Sequence, residues 1–173
     1  MAPGVWSFNP KTGLLKVMDD SLKFPNGVAL SADGKTLYIT STPVILDVLP
    51  TLELDVLSQR CSHQALRCLT LRGVYAFDYD SKSSTLSNRR VLYVPDSYIA
   101  DGIKISKSGD LFAATGTSID VVRLCDGKLM GKIVTGKEIM NNLVALPGGE
   151  WWLVGQGGIW RARVSEQGLL NYG

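Results

Sequence analysis

The sequence predicts an all-β fold of antiparallel sheets repeated around an axis, and three observations predict it. First, three stretches share one pattern: a polar residue, a short alternating strand, a glycine-containing tight turn, and a second strand. Strand, tight glycine turn and strand together are the mark of a β-hairpin. Second, the later two of these units lie about 41 residues apart (Asp101 to Asn142), inside the 40–45-residue period of propeller blades. Third, no sustained 3.6-residue periodicity appears outside one segment, 43–71. Radial repetition of small antiparallel sheets satisfies all three.

In chain order, Val5-Trp6-Ser7-Phe8 alternates as a strand and runs into a turn at Asn9-Pro10. The first hairpin unit covers 24–40 and turns at Asp33-Gly34. Between Thr42 and Arg72 the strand–turn pattern breaks off, and the spacing of about 75 residues from Asn26 to Asp101 requires an insertion of some 30. Leu52, Val56, Gln59 and His63 recur there at helical spacing, so 43–71 is read as an irregular or helical surface insertion. A lid over a pocket and an artefact of gene prediction are the alternatives. Val74-Tyr75-Ala76-Phe77 is the next strand, with a turn expected at Asp78-Tyr79-Asp80.

The second hairpin unit covers 99–114 around Ser108-Gly109, followed by the strand Ile119-Asp120-Val121-Val122. The third covers 140–154 around Gly148-Gly149, followed by Ile159-Trp160-Arg161-Ala162. Asp33, Asp110 and Glu150 read as solvated turn residues. Trp151-Trp152 reads as one ring in a core and one at a sheet interface.

Composition limits the function. Across 173 residues, 18 Lys and Arg against 16 Asp and Glu give a formal charge of +2 with no basic run, which disfavours nucleic acid. One histidine, His63, makes a His-based triad or a multi-His metal site a poor fit. Cys61, Cys68 and Cys125 match no zinc spacing, and Cys61, His63 and Cys68 lack a fourth partner. An odd cysteine count favours a reducing compartment. No apolar run approaches the ~20 residues of a membrane span. Met1-Ala2-Pro3-Gly4 shows no signal-peptide pattern, so a cytoplasmic location is expected.

The stretch PNGVALSADGKTLYIT at 25–40 closely resembles one in the SMP-30/gluconolactonase family of lactonases. Ala100-Asp101-Gly102-Ile103-Lys104-Ile105 is similar to that family's PDGI stretch, and Asn141-Asn142-Leu143 to its TN stretch. The Trp6 and Tyr75 strands, each followed by polar residues, resemble its V(Y/W)RFDP element. The resemblance implies a six-bladed propeller with a divalent cation, calcium for preference, on its axis, and hydrolysis of lactones or related esters. By motif Asn26 and Asp101 correspond to metal ligands, and Asp101 also to the general base. Asn141 and Asn142 are read as making strand-edge hydrogen bonds rather than as ligands.

Three positions depart from the family pattern. No EGP-W element supplies its glutamate ligand, Ser41 stands where Asp is common, and Ala100 where Pro is usual. The resemblance thus covers roughly the C-terminal half of a propeller, a single partial domain over 1–173. The expectation is an open arc with a weak metal site, little hydrolysis, and self-association through its open edges. The alternatives are a strictosidine-synthase-like propeller and a non-catalytic propeller fragment acting as a binding surface.

Overall fold

The computed structural model describes residues 3–22, 24–42, 72–97, 100–136 and 138–164. These form thirteen strands, β1(Val5–Phe8), β2(Leu15–Asp19), β3(Pro25–Leu30), β4(Thr36–Ser41), β5(Gly73–Asp80), β6(Thr85–Tyr93), β7(Ile103–Ile105), β8(Asp110–Thr115), β9(Ser118–Arg123), β10(Leu129–Val134), β11(Met140–Leu146), β12(Glu150–Gly155) and β13(Gly158–Arg163). Every pairing is antiparallel and joins consecutive strands. Four sheets result: β1–β2, β3–β6, β7–β10 and β11–β13. Helix is absent among the described residues. The expected propeller blades are therefore present, two of them with four strands. The insertion, its helical option and the Cys61, His63 and Cys68 group all lie outside the described residues.

Local chemistry sets the hairpins. In the β3–β4 turn the Gly34 N–H donates to the Ser31 carbonyl at 2.9 Å, and the Thr36 N–H donates to the Ser31 hydroxyl at 2.9 Å. The β7–β8 turn repeats this, with Gly109 N–H on the Ser106 carbonyl at 3.1 Å and Asp110 N–H on the Ser106 hydroxyl at 3.1 Å. Gly34 and Gly109 have φ of 70° and 90°, a region that disfavours side chains with a Cβ. One turn design therefore serves two blades.

Packing follows from strand alternation. Along β8, Leu111 and Ala113 join Tyr38, Val74, Ala76 and Tyr93 of the preceding sheet in one core. Phe112 and Ala114 point the other way, to Met140, Leu143, Trp151 and Leu153 of the following sheet. The central blade is thus buried on both faces, which is why β8 and β9 read as nearly continuous apolar runs. Phe112 and Trp151 stack with centroids 4.2 Å apart and planes 14° from parallel, a geometry worth ~0.5–1.5 kcal/mol beyond burial. A third core packs Leu22, Ile39, Tyr75 and Phe77 with Val5 of the first sheet. The strands β3, β7 and β11 contact one another in sequence and form the inner side of the arc.

Three expectations are corrected. The chain does not turn at Asp78-Tyr79-Asp80: β5 continues to Asp80, and Asp78 is held across the pair by Asn88 and Arg90 at 3.0 and 2.8 Å. Trp152 is not at a sheet interface but 41% exposed, donating its indole N–H to Glu150 at 2.8 Å. Asp110 and Glu150 open strands β8 and β12 rather than lying in the turns, and Glu150 also faces Arg161 and Arg163.

Candidate functional site

The segments that open the three hairpin units meet where the inner strands begin. A register irregularity between Pro25 and Val28 leaves Asn26-Gly27 bulged from the β3–β4 ladder. The Gly27 N–H, denied a strand partner there, donates to the Thr40 hydroxyl at 2.6 Å. Asn26 is exposed, and no hydrogen bond among the described residues engages its side chain. It lines a largely apolar cavity of about 370 Å³ together with Trp6, Met18, Val28 and Ile39.

Asp101-Gly102 sits just ahead of β7 and is fixed to the end of β8. Asp101 N–H donates to the Ala114 carbonyl, and Ala114 N–H to the Gly102 carbonyl, each at 2.9 Å. The Asp101 carbonyl accepts the Thr40 hydroxyl at 2.8 Å. Next door, the Thr42 hydroxyl donates to the Ala100 carbonyl. A Cβ on Gly27 would come within 2.3 Å of the Asp101 carbonyl oxygen, so only glycine allows the two loops to lie this close.

The third unit closes on the second in the same manner. Gly102 N–H donates to the Asn141 carbonyl at 2.8 Å, and the Asn141 side-chain amide donates to Asp101 Oδ2 at 3.0 Å. Asn142 Oδ1 accepts the Leu143 N–H at 2.9 Å and covers Gly102, whose added Cβ would meet it at 2.4 Å. The backbone beside Asn26 therefore abuts Asp101, and Asp101 in turn meets Asn141. The Asn141 side chain thus bonds the candidate carboxylate itself. In the sequence Thr40 and Thr42 look like the polar end of an ordinary alternating strand, and neither stands out as a site residue.

A second polar cluster joins the β3–β6 and β7–β10 sheets. Asp120, fully buried on β9, accepts from the Tyr93 hydroxyl at 2.6 Å and the Ser118 hydroxyl at 2.8 Å. Lys132 approaches it at 3.6 Å while pairing with Asp96 at 2.6 Å. Burial and the bond to Asp120 push the Tyr93 phenol well above its ordinary range. The signal for this cluster was a carboxylate inside the apolar run of β9. A charged residue on a strand buried on both faces must be partnered.

The chemistry on offer at the inner strands is the exposed amide oxygen of Asn26 and the carboxylate of Asp101, held by Asn141. Both are hard oxygen donors of the kind calcium and magnesium take. Among the described residues no cluster of three or more His, Cys, Asp or Glu is arranged to hold a metal.

No family model matches the chain. It is 34% identical over 172 residues to lactonohydrolase oryH of Aspergillus oryzae and 34% identical over 171 residues to lactonohydrolase oryL of the same organism. These alignments cover 95% and 94% of the chain, which spans only about a third of the relatives, 34% and 36% of their lengths. Among solved structures, a gluconolactonase of Xanthomonas campestris matches with a TM-score of 0.70 at 23% identity, over 91% of this chain and 43% of that one. Regucalcin of Agrobacterium tumefaciens, described as a calcium-binding protein, matches with a TM-score of 0.62 at 12% identity, over 98% of this chain and 48% of that one. These structural matches share the fold, and the chain accounts for a little under half of each.

Proposed function

We propose, from the chain's homology to lactonohydrolases over nearly its whole length, that it forms part of a calcium-dependent hydrolase of a lactone or related ester. In this reading the chain is one partial propeller domain, with 43–71 as an insertion in its first complete blade. The observation that carries the proposal is the meeting of Asp101 with its two neighbours, Gly27 through backbone and Asn141 through the carboxylate.

Asn26 and Asp101 would hold the cation, the first through its amide oxygen and the second through its carboxylate. Their donor chemistry fits calcium, although two side chains fall short of the roughly six to eight oxygens it takes, so other oxygens complete the shell. A bound calcium supplies Lewis acidity for the lactone carbonyl. The chain's own residues do the rest. Asn141 engages Asp101 Oδ2 and fixes the carboxylate plane, leaving an oxygen to accept a proton from the attacking water. The water oxygen bonds to the carbonyl carbon, the ring C–O bond breaks as the leaving ring oxygen takes the proton back from Asp101, and the product is the open hydroxy acid. The apolar cavity beside Asn26, walled by Trp6, Val28 and Ile39, offers room for the substrate's carbon skeleton.

The test combines calorimetric titration with calcium chloride and a pH-stat assay on gluconolactone, with and without EDTA. Weak calcium binding and slow, EDTA-sensitive hydrolysis are expected of this partial chain. Asp101→Ala should lower turnover by ~10²-fold or more, in line with the loss of a general base. Hydrolysis that survives both EDTA and Asp101→Ala would overturn the proposal.

A further inference from the structure

We propose that Thr40 is a positioning residue for the candidate site: its hydroxyl clamps Gly27 to Asp101 and so sets the separation of Asn26 from Asp101. The inference rests on the reading of Asn26 and Asp101 given above, but its physical content does not depend on the metal. Thr40 is fully buried at the end of β4. Its hydroxyl oxygen accepts the Gly27 N–H at 2.6 Å, and its proton goes to the Asp101 carbonyl at 2.8 Å. One side-chain group is therefore bonded to the residue after Asn26 and to Asp101 itself, across a sheet boundary and 61 positions of sequence.

The geometry leaves few substitutes. A strand pairing cannot do this work, because the register irregularity has already lifted Asn26-Gly27 from its partner strand. A larger residue at Gly27 cannot do it either, since a Cβ there would strike the Asp101 carbonyl. Without the hydroxyl, a part-buried N–H loses its acceptor and a part-buried carbonyl its donor, and each such loss favours a shift of the backbone. The displacement falls between Asn26 and Asp101. Thr42, just past the end of β4, holds Ala100 through its own hydroxyl.

The test compares three variants. Thr40→Val is nearly isosteric but lacks the hydroxyl, and Thr40→Ser restores it. Tyr93→Phe removes a different buried hydrogen bond joining the same two sheets, so it reports a merely structural loss. In metal-free protein, the NMR resonances of the Asn141 side-chain amide and the Asp101 carboxyl carbon should shift in Thr40→Val, return in Thr40→Ser, and stay in place in Tyr93→Phe. The Gly27 amide of the unmutated protein should be protected from hydrogen exchange, a readout that survives if Thr40→Val fails to fold. Calcium affinity should fall tenfold or more in Thr40→Val and change less than about threefold in the other two.

Equal effects of Thr40→Val and Tyr93→Phe on the Asp101 and Asn141 signals would overturn the positioning role, as would an unprotected Gly27 amide. If the unmutated protein binds no calcium, the metal reading fails alone, and the metal-free spectra still decide the role of Thr40.

Discussion

Tyr93 on β6 donates its hydroxyl to Asp120 on β9 at 2.6 Å, so one buried carboxylate joins two neighbouring blades. Ser118 fills the other carboxylate oxygen at 2.8 Å. Tyr93→Phe removes a hydrogen bond to a charged acceptor and leaves that acceptor less satisfied. The expected loss is about 1.5–3 kcal/mol of unfolding free energy, measured by urea denaturation.

The same contact gives stability a dependence on alkaline pH. Burial, and then the Asp120 bond, raise the Tyr93 phenol above its unfolded value. The stability linked to it is fully present below the ordinary tyrosine range of about pH 10. It is lost as pH rises beyond that, because the unfolded chain gives up the proton first. Denaturation midpoints recorded from pH 9 to about 11.5 should fall more steeply for the unmutated protein than for Tyr93→Phe. Burial also raises the phenols of Tyr38 and Tyr75, so a residual slope is expected in the variant.

Much of this architecture is legible in the sequence, and the reasons are specific. The hairpins β3–β4, β7–β8 and β11–β12 announce themselves because each carries glycine where its turn requires it, and β1, β5, β9 and β13 show short apolar alternation. The outer strands β2, β6 and β10 are harder to read. Thr85–Tyr93, for example, is largely exposed and carries Ser87, Asn88, Arg89 and Arg90 in succession, so no buried face imposes a pattern. Asp78-Tyr79-Asp80 looks like a turn because two of its three residues are Asp, a common turn former, while it pairs as strand. At the site, the resemblance picks out Asn26 and Asp101, but the hydroxyl of Thr40 and the amide of Asn141 act across blades. Contacts between residues 40 or 61 positions apart have no local signature.

Gly27→Ala should be far more damaging than the same replacement at an open glycine such as Gly131. The added methyl would meet the Asp101 carbonyl oxygen at 2.3 Å and the Ile103 nitrogen at 3.0 Å, and both are backbone atoms that cannot rotate away. A cost of about 1–3 kcal/mol is expected, as for other overpacked sites. Gly131→Ala, where no atom lies within 4 Å of the added carbon, serves as the control. Thermal melts of the two variants should separate them clearly.

The face of β11–β13 turned away from the core carries Val144, Trp152, Val154 and Ile159, all exposed, and cross-strand pairing sets Val154 beside Ile159. An apolar patch of this kind promotes self-association. Ile159→Lys should raise the concentration at which light scattering first increases, with little change in the melting temperature. An unchanged onset would show that this face is not the one that sticks.

The contacts of Gly27 on Asp101 and of Gly102 on Asn141 act as two butt joints in series along the inner arc. Each joint is made by main-chain atoms on at least one side, so side-chain rotamer motion contributes little play. In any such series, positional error accumulates from joint to joint, and the two end members locate each other least well. Asp101 is the middle member. It is one joint from the neighbour of Asn26 and one from Asn141, which makes it the datum from which the other two are placed.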